Sequence, residues 1–157
     1  MFNARGAIIS DCGTYRYRLW RRWDAGPACV FIMLNPSTAD ATNDDPTIRR
    51  CIGFAKREGC GSLEVVNLFA FRATSPADLK KAEDPVGPEN DSYLQQAMFY
   101  AKGTVIAAWG AHGSYLNRDK DVRQLLDEPL KCLGMTKTNA PKHPLYIKAD
   151  QPLEMLR

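Results

Sequence analysis

Long hydrophobic runs are missing: nowhere does the chain hold the roughly 20 consecutive apolar residues of a membrane span. The start, Met1-Phe2-Asn3-Ala4-Arg5-Gly6, also lacks the apolar stretch of a secretory signal. The sequence therefore predicts a cytoplasmic protein with no membrane partner. Paired cysteines are missing as well. The five thiols, Cys12, Cys29, Cys51, Cys60 and Cys132, are an odd number without a C-x-x-C spacing. This argues against a disulfide framework or a zinc knuckle and for reduced, mostly buried thiols. No Gly-rich phosphate cradle occurs, and Gly110-Ala111-His112-Gly113 lacks the spacing of a dinucleotide fingerprint, which disfavours nucleoside triphosphate chemistry. A strong charge of one sign is absent too. Twenty-one Lys and Arg against eighteen Asp and Glu give a formal +3, which permits a polyanionic partner without demanding one.

What is present is an ordinary globular composition, 45% hydrophobic and 25% charged over 157 residues, enough for one domain over 1–157 that folds without metal or disulfides. Residues 7 to 23 read as an antiparallel hairpin: Ala7-Ile8-Ile9, a turn at Asp11-Cys12-Gly13, then Tyr15, Tyr17 and Leu19 alternating with Arg16 and Arg18 on a wet face. Cys29 to Leu34 is a continuous apolar run closed by Asn35-Pro36, the pattern of a strand buried on both faces. Asp45 caps a helix whose first residue is Pro46 and whose apolar stripe is Ile48, Cys51, Ile52 and Ala55, stopped by Gly59. Further strands are predicted at Ser62 to Leu68, Thr104 to Trp109 and Leu130 to Leu133. Helices are predicted from Ser75-Pro76, around Leu94 to Ala101 and around Val122 to Leu126. This alternation predicts a three-layer α/β/α fold with a mostly parallel four-stranded sheet and an N-terminal antiparallel hairpin. Ligands of such sheets bind beyond the carboxyl ends of the strands.

Three polar clusters follow apolar strands or a basic loop. In the first, Asn35 ends a buried strand, followed by Pro36 and Ser37; its amide is suited to orient a water or read a base edge, and turn punctuation is the structural alternative. In the second, Asn67 ends another strand, with Phe69 and Phe71 beyond it. An amide beside rings suits a flat heterocycle, and a buried Asn tying loop backbone is the alternative. In the third, Lys142 and His143 lie in a proline-stiffened loop, and the stretch from Pro129 through Ala149 has four lysines and no acid. That field favours an anion, with His143 as an oxyanion donor and His112 as the competing histidine. Asp44 and Asp45 are adjacent carboxylates with acid-base potential, although capping is a sufficient role for Asp45. Cys51 and His143 form a weaker thiol-nucleophile idea, because Cys51 lies on the apolar helix stripe.

Taken together, Met33-Leu34-Asn35-Pro36-Ser37, Val66-Asn67 and His143-Pro144-Leu145 resemble the ordered motifs of the uracil-DNA glycosylase superfamily. The whole chain, through MLNPSTAD, DDPTIRRC, NLFAFRAT and HPLY, is similar to a bacterial and phage family of unknown function. Leu145 stands where the superfamily usually has Ser, and no duplex-wedging loop or iron-sulfur cysteine cluster is recognisable. The resemblance implies hydrolysis of an N-glycosidic bond in DNA or a nucleotide, with no cofactor and no metal. Asn35 would align water, Asn67 would bind the base edge, and His143 would stabilise the departing base. Pro36, Ser37, Phe69, Phe71 and Lys142 would surround the ligand. A non-catalytic nucleobase-binding module is the alternative, and the aromatic hairpin Tyr15, Tyr17, Trp20 and Trp23 raises a protein-interaction surface as a third reading.

Overall fold

The computed structural model describes residues 4–101 and 103–157; Met1 to Asn3, on which part of the signal-segment reading rests, lie outside the described residues. Its strands are β1 (Ala4–Ile9), β2 (Arg16–Arg22), β3 (Ala28–Met33), β4 (Ser62–Asn67), β5 (Val105–Ala107), β6 (Lys131–Cys132) and β7 (Glu154–Met155). Its helices are α1 (Pro46–Arg57), α2 (Pro76–Lys81), α3 (Asn90–Tyr100) and α4 (Arg118–Leu126). The result is a mixed α/β fold with one seven-stranded sheet in the order β1-β2-β4-β3-β5-β6-β7. β3 pairs parallel with β4 and β5, and β5 pairs parallel with β6. The hairpin is part of this sheet, because β2 pairs antiparallel with β4, placing Leu19 opposite Val65. At the other edge β7 runs antiparallel to β6; two residues are too short to show a strand period in sequence.

Side-chain alternation along the inner strands divides the core. Cys29, Phe31 and Met33 of β3 pack with Leu63 and Val65 of β4 and with Ile48, Cys51, Phe54 and Ala55 of α1. Val30 and Ile32 face the other way, with Val66, Leu79 of α2, Leu94 of α3 and Val122 of α4. Phe31 and Ile32 are both fully buried, each contributing about 1.5–3 kcal/mol relative to exposure. α1 begins as its sequence dictates: Asp45 accepts from the Ile48 amide at 2.8 Å and Pro46 occupies a first-turn position. Ser75 caps α2 in the same way.

The hairpin departs from simple alternation. Ile8 pairs with Arg18 and Ile9 with Arg16, leaving Tyr17 as an extra residue in a bulge. Arg16 is therefore buried instead of lying on a wet face, and Tyr17 is buried between the rings of Tyr15 and Tyr93. Trp23 donates its indole N–H to the Cys60 carbonyl. The aromatic hairpin is thus mostly internal packing, not an open docking face. Cys29, Cys51, Cys60 and Cys132 are buried and Cys12 is exposed, all as free thiols. No helix among the described residues is long and apolar enough to cross a membrane.

Candidate functional site

Four sequence segments are tied together at the carboxyl ends of β3 and β4. The amides of Leu68 and Phe69 donate to the carbonyls of Met33 and Leu34, and the Ala73 amide donates to Pro36. Asn35 strengthens this seam with its side chain: Nδ2 donates to the Ala73 carbonyl at 2.9 Å and to Pro36 at 3.1 Å. Both amide hydrogens are then used, and Oδ1 is left as an acceptor. Arg50, on α1, donates from Nε to the Pro144 carbonyl at 3.2 Å and holds the His143 loop against the helix. Further along, Asp40 closes the loop after β3 by accepting from the amides of Thr42 and Asn43, and these bonds lower its carboxyl to about 2. Asp44 is committed elsewhere, in an ion pair with Arg21 at 2.7 Å.

These connections enclose a cleft of about 570 Å³ lined by Asn35, Asn67 and His143 together. Pro36 and Ser37 also line it, as do Asp45, Trp109 and His112. A cleft of this volume accommodates a small organic ligand. Trp109 is seated by Gly113, where an added Cβ would come within 2.2 Å of the indole ring.

Asn67 is the most informative member. Its side chain is 1% exposed, and neither Oδ1 nor Nδ2 has a hydrogen-bond partner among the described residues. Burying an amide without a partner costs about 1–3 kcal/mol. Its backbone is firmly held instead: Asn90 Nδ2 donates to the carbonyls of Asn67 at 3.0 Å and Leu68 at 3.1 Å. Arg118 adds a bond to Leu68 at 2.7 Å. The strand end is therefore fixed while its side-chain amide faces the cleft unsatisfied.

His143 is half-buried, and its Nδ1 accepts from the Leu145 amide at 3.1 Å. The ring proton therefore resides on Nε2, leaving that N–H as the donor for a ligand. Burial lowers the His143 pKa, and the nearby Asp45 carboxylate partly opposes the shift. Asp45 uses Oδ1 for the α1 cap and also lines the cleft. Cys51 is fully buried, and burial pushes its thiol up, which removes the thiolate that a cysteine nucleophile requires.

The remaining expected ligand contacts lie elsewhere. Phe69 is fully buried, with its ring 5.7 Å from that of Tyr115. Phe71 packs edge-on against Tyr15 at 6.3 Å. Lys142 is exposed, with its stem beside Gly134. None of the three is among the residues lining the cleft. In their place the structure brings Arg16 and Tyr146 to it, and Tyr146 is 89% exposed at its rim. A lone aromatic after His-Pro carries no periodic signal, so its sequence context did not mark it. Among the described residues, no group of three or more His, Cys, Asp or Glu side chains is placed to hold a metal ion.

The fold and cleft define a mixed α/β protein with a ligand-sized site built at the ends of adjacent parallel strands. The chain belongs to the family described as protein of unknown function (DUF1643), matched over residues 16–145. Neither a curated protein nor a solved structure matches it.

Proposed function

We propose that the cleft binds a nucleobase and hydrolyses its N-glycosidic bond, in DNA or in a nucleotide, on a three-layer fold related to that of the uracil-DNA glycosylases. The observation that carries this reading is the buried carboxamide of Asn67, unpartnered in the cleft that Asn35 and His143 also line. A pyrimidine edge offers the adjacent donor and acceptor that a free carboxamide requires. Tyr146, exposed at the rim, supplies a ring to cover the base face.

Each polar group then has a part in the proposed reaction. Asn35 Oδ1 accepts from a water and aims its oxygen at the sugar C1′. The C1′–N bond breaks, its electron pair leaves with the base, and the water oxygen bonds to C1′. Asn35 is a neutral amide and takes no proton, so the carboxylate of Asp45 receives it. The Nε2–H of His143 donates to the developing oxyanion of the base, an interaction worth about 3 kcal/mol in such sites.

Oligonucleotides and nucleotides bearing uracil and other altered bases provide the test. Free base, detected by chromatography, is the expected product, and wild-type protein should release it while Asn67→Ala does not. Neither release nor calorimetric binding of any base would overturn the reading. Binding without release would instead identify a non-catalytic nucleobase module, a second reading favoured by Asp45 already sharing its carboxylate with the helix cap.

A further inference from the structure

We infer that the ligand of this cleft carries a terminal oxyanion, most simply the phosphate of a mononucleotide, which docks on the open edge of the Arg16 guanidinium. The inference rests on the nucleobase reading and adds a second anchor to it.

Three arginines of the described chain are buried: Arg16, Arg21 and Arg118. Two of them have a carboxylate partner. Arg21 pairs with Asp44 and also donates to the carbonyls of Gly6, Trp20, Asp40 and Asn43. Arg118 pairs with Asp91 and donates to Leu68. Arg16 is different. It is 2% exposed and lines the cleft, yet among the described residues its side chain makes one hydrogen bond, from Nη1 to the Ala39 carbonyl at 3.1 Å. Nε is buried with no acceptor, and no carboxylate forms an ion pair with Arg16 among the described residues.

The geometry of the unused atoms is specific. Nε and Nη2 form one edge of the planar guanidinium, with parallel N–H bonds that fit two oxygens of a phosphate or carboxylate. Nη1, on the other edge, is the atom already bonded. Asp45 attracts Arg16 from outside ion-pair range, and Arg72 repels it; with burial dominating, its pKa falls to about 10, so it remains charged at neutral pH. A buried charge without a counter-ion is strongly unfavourable, and a ligand oxyanion removes that penalty. Arg16 also sits where a ligand reaches it from Asn67: its backbone amide donates to the Ala70 carbonyl at 3.0 Å, beside the exit of β4. An anchor this deeply buried suits the end of a ligand better than a backbone that continues past it on both sides.

Isothermal calorimetry with uridine, uridine 5′-monophosphate and the dinucleotide uridylyl-uridine tests the inference on wild type, Arg16→Met and Arg16→Lys. The wild type should bind the monophosphate at least tenfold more tightly than uridine. Arg16→Met should bind the two within twofold, and Arg16→Lys, which keeps a charge but loses the fork, should fall between. A dinucleotide that equals the monophosphate and loses the same factor in Arg16→Met overturns the terminal placement, because its only phosphate is an internal phosphodiester. Equal wild-type affinity for uridine and its monophosphate, or a preference that survives in Arg16→Met, overturns the inference and leaves the nucleobase reading intact. If no pyrimidine compound binds, the nucleobase reading fails, and inorganic phosphate decides the anion site separately. A melting-temperature rise with phosphate in wild type but not in Arg16→Met supports the site, and no rise overturns it. Arg16→Met should itself melt at or above the wild-type temperature, since it removes an uncompensated charge; unfolding of that variant transfers the comparison to Arg16→Lys.

Discussion

Replacing Asn67 by leucine should make the protein more stable and unable to bind its ligand. The carboxamide is buried with neither polar atom satisfied among the described residues, a state that costs about 1–3 kcal/mol. Leucine removes that penalty, and the adjoining cleft of about 570 Å³ gives the larger side chain room. The hydrogen bonds from Asn90 go to backbone carbonyls and survive the change. A net gain of about 1–2 kcal/mol corresponds to a melting-temperature rise of about 2–8 °C for a chain of this size. Urea denaturation followed by circular dichroism, together with calorimetric melting, measures the gain; calorimetry with uridine measures the lost binding. Destabilisation of Asn67→Leu by more than about 1 kcal/mol would refute the reasoning, because it would mean that the amide already has a structural partner.

Three further expectations address separate groups. Asp45→Asn retains a capping oxygen and should stay within about 0.5 kcal/mol of wild type while losing base release, whereas Asp45→Ala should lose about 1 kcal/mol as well; chemical denaturation and product chromatography separate the two roles. His143 has a folded pKa below its unfolded value of 6.5, so the unfolded state takes up its proton first as the pH falls. Its contribution to stability is therefore complete above pH 6.5 and is lost as the pH drops from there through the folded pKa, and urea midpoints at pH 7.5 and pH 5 should differ less in His143→Asn than in wild type. Hydrogen bonding with Ser10 and Thr14 lowers the exposed Cys12 thiol to about 7, and burial raises Cys29, Cys51, Cys60 and Cys132. Iodoacetamide at pH 7.5 should accordingly label Cys12 first by peptide mass mapping; prior labelling of any other cysteine would contradict that ordering.

The parts of the site that could be seen in advance are those whose signal is local. An apolar run that stops at a polar residue marks both a strand and the edge where ligands collect, and this is how Asn35 and Asn67 stand out. His143 was visible because histidine is rare here and prolines stiffen its loop. Asp45 announced its cap through the following Pro46, but its position on the cleft depends on where α1 packs. Arg16 was hidden because alternation assigned it to a wet face, and one bulged residue, Tyr17, reversed that assignment. Phe69 and Phe71 show the opposite situation. Rings two residues apart after a strand look like a stacking platform, yet one fills the core against Tyr115 and the other leans on Tyr15. The glycines at 110 and 113 mark a loop, but the helical turns of Ala111–Asn117 carry no sequence period, since Leu116 and Asn117 adopt left-handed backbone with φ of 56°. Long-range packing, not residue preference, decides each of these cases.

Asn90 and Arg118 stand at the first turns of α3 and α4, and both reach the carbonyls at the tip of β4. Two helices are thus moored to the strand end that presents Asn67, like stays fastened to one mast. Were a molecule docked on the outer ends of these helices to shift that mooring and change affinity in the cleft, occupancy of the cleft would change that molecule's affinity by the same factor.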